Sequence, residues 1–104
     1  MSALSQSVQG DKDEQVREMS AWALGEIGEK SAATALAAAV SSDASDKVRE
    51  TSAWALGELD AKSAAAVLGQ AVSSDKSMRV RATSAWALGQ FDLITAPKGL
   101  IDGL

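Results

Sequence analysis

Four glutamates, Glu18, Glu26, Glu50 and Glu58, recur along one predicted helix face or one repeat apart, where acids could hold a cation or do acid/base work. On an open surface that arrangement describes a solvated acidic face rather than a reacting pair. The chain has no His, Cys or Tyr. A Ser-His pair, a histidine metal site and a thiol nucleophile therefore cannot be assembled from it. The reading is of a protein without catalytic, cofactor or metal residues. The remaining candidates are three tryptophans, Trp22, Trp54 and Trp86, with the four glutamates beside them and Arg79 farther along the same row. Large rigid aromatics in a column are the residue type that carries interface energy.

The elements that position these residues are written three times. Gln15 to Ile27, Lys47 to Leu59 and Arg79 to Phe91 share the core Ser-Ala-Trp-Ala-Leu-Gly, and Val16, Val48 and Val80 are spaced by 32 residues. Such a period marks a stacked array in which each unit buries its apolar face against its neighbours. Ala3, Leu4 and Val8 fall in register with Ala35, Leu36 and Val40, and Leu100 and Leu104 with Leu68 and Val72. One domain spanning 1–104 follows, with a half-repeat at 1–10 and full repeats at 11–42, 43–74 and 75–104.

Within each unit the pattern predicts two helices. Asp13, Ser45 and Ser77 are cap-competent at one repeat position. From Glu14 to Ile27, the residues Val16, Ser20, Ala23, Leu24 and Ile27 share an arc of roughly 100°, which predicts the core face. Trp22 lies far from that arc and is expected to point outward. A competing reading places each indole over Gly25, Gly57 or Gly89 as packing between repeats, and the two readings are compatible. Gly28 suits a left-handed turn, whereas Asp60 and Asp92 at its position predict turns that differ. Ser31, Ser63 and Thr95 are expected to cap second helices at Ala32–Val40, Ala64–Val72 and, weakened by Gly99 and Gly103, Ala96–Leu104.

An aspartate stands six residues before the arginine of each Val-Arg pair, as Asp11 and Arg17, Asp43 and Arg49, Asp75 and Arg81, with Ala-Leu-Gly following. On these residues the chain resembles HEAT-like repeats of the short phycobilisome-lyase type. The resemblance implies an all-α, right-handed α-solenoid with the Val-Arg helix on the concave side and the Ala-rich helix on the convex side. It also implies that those aspartates and arginines form a ladder of charge-assisted hydrogen bonds between repeats.

A net charge of −4 disfavours nucleic acid and anionic membrane as partners, because both select basic stripes. Residues 1–74 carry 6 basic against 11 acidic side chains, whereas 75–104 carry 4 against 3, so the charge is uneven. Neither a basic leader nor a long apolar run is present, which makes a soluble cytoplasmic protein the expectation. The expected function is non-catalytic binding of a protein or peptide on the concave face. The resemblance leaves open a subunit of a bilin lyase or tetrapyrrole-handling complex, and the near-identical copies leave open a self-assembling or engineered array. A homodimer through the apolar C-terminal segment (Leu93, Ile94, Leu100, Ile101 and Leu104) or through the Trp column is also expected.

Overall fold

The computed structural model describes residues 3–91, and the expectations for Asp92, Thr95 and the helix Ala96–Leu104 lie outside them. Six α-helices follow one another among the described residues: α1 (Ala3–Gly10), α2 (Glu14–Ile27), α3 (Ala33–Ser42), α4 (Asp46–Glu58), α5 (Ala65–Ser74) and α6 (Met78–Gln90), with short 3-10 turns at Lys30–Ala32 and Lys62–Ala64. There is no strand among the described residues. No helix among them is long and apolar enough to cross a membrane.

The helices form two rows. The long helices α2, α4 and α6 pack in succession, and so do the short helices α1, α3 and α5. Each short helix lies against the long helix that follows it, α1 on α2, α3 on α4 and α5 on α6. Each core slot is thereby filled from two adjacent repeats: Leu24, Leu36, Leu56 and Leu68 are fully buried, with Val8, Val48 and Val80 beside them. Alanines at 21, 53, 55, 64 and 87 fill the space between, and their small size lets the helix axes approach.

The long helices begin at their caps. Asp13 accepts from the Gln15 N–H, Ser45 from Val48 and Ser77 from Val80, each satisfying an amide that has no partner within the helix. The short helices begin differently from the reading above. Ser31 and Ser63 make no capping bond; the 3-10 turns enter the helices directly, with the Ala33 N–H donating to the Lys30 carbonyl and the Ala65 N–H to that of Lys62. The backbone satisfies its own orphan amides there, which removes the need for a side-chain cap. Ser31 turns away and donates to Glu29 instead.

The turns at Gly28 and Asp60 differ only in part. Asp60 adopts the same left-handed conformation, φ 53° against 73°, but its N–H donates to the Gly57 carbonyl where that of Gly28 donates to Leu24. In both turns the amide after it, Glu29 or Ala61, closes onto the carbonyl of Leu24 or Leu56. Closure of the helix end outweighs the roughly 1–2 kcal/mol that a side chain costs in this region. The predicted core face also fails in the first copy. Val16 and Ile27 are 38% and 61% exposed, whereas their equivalents Val48, Val80, Leu59 and Phe91 are at most 5% exposed. The arc is the same; only α4 and α6 have a long helix on that side.

Candidate binding face

The six ladder residues divide into two complete rungs and two half-rungs. Arg17 donates from Nε and Nη2 to both carboxylate oxygens of Asp43, at 2.8 and 3.1 Å, and Arg49 does the same to Asp75 at 2.9 and 3.3 Å. The third nitrogen of each, Nη1, donates back to its own loop, Arg17 to the Asp11 carbonyl and Arg49 to the Asp43 carbonyl. Each guanidinium thus fastens its own turn to the next repeat's turn. The receiving carboxylates also hold their loops, accepting from the Ser45 and Ser77 amides.

The ends of the ladder are half-made. Asp11 offers its carbonyl to Arg17, but its carboxylate serves only the Asp13 amide. Arg81 donates Nη1 to the Asp75 carbonyl and has no carboxylate partner among the described residues.

Electrostatics follow this geometry. Burial pushes the Asp75 carboxyl up, but the bonds from Arg49 and the Ser77 amide, with the charges of Arg49 and Lys76, together hold it below the ordinary carboxylate value. The hydrogen bond with Asp43 pushes the Arg17 guanidinium above its usual value; desolvation opposes it, and the charges of Asp43, Glu14 and Asp11 reinforce it. A groove of about 370 Å³ beside Arg49, lined by Val40, Val67, Ala71 and Asp75, lies at these turns between α3 and α5.

The tryptophans sit on the other row, on α2, α4 and α6. An ideal Cβ on Gly25 would lie 2.6 Å from Cζ3 of Trp54, and one on Gly57 would lie 2.6 Å from Cζ3 of Trp86. Trp54 and Trp86 therefore each lie on the glycine of the preceding copy, not their own, and the missing side chain is what gives each a seat. Trp54 is half-buried against the core, while Trp86 is 39% and Trp22 48% exposed. No glycine of the described residues stands beneath Trp22, and nothing lies within 4 Å of a Cβ built on Gly89.

Around this column Glu18 and Glu50 are half-buried, and Glu26, Glu58 and Arg79 are exposed. None of these five forms an ion pair among the described residues. No group of three acids there is close enough together to hold a metal ion. The face therefore has aromatic edges and unpaired carboxylates in its first two copies. In the third, Ala82 and Gln90 replace the acids, beside Arg79.

Sequence reasoning missed two features. Ser45 donates to Glu14 one repeat back, at 3.1 Å, for which a cap residue gives no signal. Ser52 and Ser84 bury hydroxyls that have no hydrogen-bond partner among the described residues. The latter was within reach, since a serine inside an apolar arc carries a polar atom into the core.

A search of the curated proteins returns no match to the chain. A family model for HEAT repeats matches residues 1–53 and 34–104, which together span its whole length. With the helix pairs, their 32-residue period and their residue-by-residue stacking, that match makes this chain a member of the HEAT-repeat family.

Proposed function

We propose that the chain is a non-catalytic binding module that takes a basic, partly apolar peptide or protein segment along the row α2, α4 and α6. On this reading the row is the concave side of a right-handed α-solenoid. One observation carries it: Trp22 and Trp86 keep 48% and 39% of their surface exposed on a face whose four glutamates lack ion-pair partners among the described residues. Indole edges supply contact area, and unpaired carboxylates supply register and attraction for Lys or Arg. HEAT repeats are commonly protein-interaction modules, which agrees with this assignment.

Binding strength on such a face falls with salt, because exposed charges are screened. The test uses a random peptide display library panned on the chain, with selected peptides then titrated against the chain and against Glu18→Gln/Glu26→Gln/Glu50→Gln/Glu58→Gln. The proposal expects Lys- or Arg-containing peptides with an apolar residue, and at least tenfold weaker binding to the quadruple variant. Peptides that bind both proteins equally would refute the assignment. Trp54→Ala is the wrong probe, since it also empties the seat on Gly25.

A further inference from the structure

We infer that the two ends of this chain are complementary surfaces and that a second copy docks on them head to tail, repeating the internal junction between repeats. This goes beyond the peptide-binding face, since it concerns the ends of the rows.

At the α2 end Val16 and Ile27 are 38% and 61% exposed, whereas their equivalents Val48, Val80, Leu59 and Phe91 are at most 5% exposed. Met19 and Trp22 are exposed beside them, where Thr51, Thr83 and Trp54 are half-buried and Trp86, seated on Gly57, still keeps 39%. At the α6 end the exposed residues are those on which a following long helix sits. Ala85 and Gly89 are exposed, while Ala21, Ala53, Gly25 and Gly57 are buried. Among the described residues the knob without a seat is Trp22, and the seat without a knob is Gly89. The charges divide in the same way. Arg81 has a guanidinium lacking a carboxylate among the described residues, and Asp11 has a carboxylate lacking a guanidinium. Internal rungs span the same step, Arg17 to Asp43 and Arg49 to Asp75.

Placing α2 of one copy on α6 of another brings Trp22 over Gly89 and Arg81 to Asp11 together, as α4 sits on α2 and α6 on α4. It also brings α1 beside α5, the contact that α1 makes with α3. Val72 on α5 is half-exposed where Val40 on α3 is buried, which leaves room for that contact. Because the two surfaces differ, the contact is heterologous and each open assembly retains one free end of each kind.

Sedimentation equilibrium tests this at up to several hundred micromolar. The average mass should rise with concentration from 10.7 kDa past the dimer without a plateau. Trp22→Ala blocks one end and Gly89→Leu the other, and each alone should weaken association at least tenfold. Met19→Glu serves as a second block of the first end should Trp22→Ala unfold. Mixing the Trp22→Ala and Gly89→Leu chains leaves one intact surface of each kind, so the mixture should form a 1:1 dimer that grows no further. A monomer at all concentrations, a wild-type plateau at the dimer, or a mixture that does not associate would each overturn the inference.

Discussion

Three glycines occupy the same position at the end of near-identical helices, and only two of them carry an indole. Gly57 and Gly89 are each the penultimate residue of their helix, within α4 and α6. Replacing either by alanine removes the same backbone entropy, worth up to about 1 kcal/mol in a helix. That gain cancels in the comparison, which leaves only what the new methyl meets. At Gly57 it lies 2.6 Å from Cζ3 of Trp86, 3.0 Å from Cα of Ala87 and 3.1 Å from its Cβ. The indole edge can swing aside, but the Ala87 backbone cannot move without shifting α6. Overpacking of this kind costs about 1–3 kcal/mol. At Gly89 nothing among the described residues lies within 4 Å. Gly89→Ala should therefore stabilise the chain and Gly57→Ala should not, with the two separated by about 1–3 kcal/mol. For a chain of this size that is roughly 5 °C or more in Tm. Helical ellipticity followed through a thermal or urea transition, at low micromolar concentration to keep chains apart, measures it. Trp86→Leu in the Gly57→Ala background should recover part of the loss, giving a coupling above about 0.5 kcal/mol. Equal stabilisation by Gly57→Ala and Gly89→Ala would refute the stacking of indole on glycine, and the repeat-to-repeat register with it.

The ladder, the acid limb and the buried serines give three further outcomes. Arg49→Ala should cost about 1–3 kcal/mol because it leaves the half-buried Asp75 carboxylate without its partner, while the exposed Lys62→Ala should fall within about 0.5 kcal/mol of wild type; equal melting temperatures would count against the ladder as a structural device. Asp75 has a folded pKa below its unfolded value, so its contribution is present above about pH 4 and is lost as pH falls through the lower folded value. Asp75→Asn should flatten that part of the stability-versus-pH curve, and an unchanged acid limb would argue against it. Ser52→Ala removes a buried hydroxyl without a partner and should stabilise by about 1 kcal/mol; destabilisation in urea unfolding would mean the hydroxyl is satisfied.

The sequence was most legible where a residue's role depends on its own helix. Ser45 and Ser77 cap where spacing placed them, and Leu24, Leu36, Leu56 and Leu68 are buried at the predicted register. It was least legible where a role depends on which repeat lies alongside. Val16 and Val48 are the same residue in the same local sequence, yet one is 38% exposed and the other 0%, because burial in an array is set by the neighbour. Trp54 shows the same limit: a helical wheel places it opposite the core arc, but the surface it meets belongs to Gly25, one period back. Asp60 was unreadable for a different reason, since helix-end closure overrode a local conformational preference.

The face assigned to binding is tested most directly by locating a bound peptide on the chain. Amide and indole N–H resonances followed during titration with a panned peptide should shift together at Glu18, Trp22, Glu50, Trp54, Arg79 and Trp86, with the three indole signals the easiest to read. Shifts confined to α3, α5 and the Asp43 and Asp75 turns, with the indoles unmoved, would contradict the account.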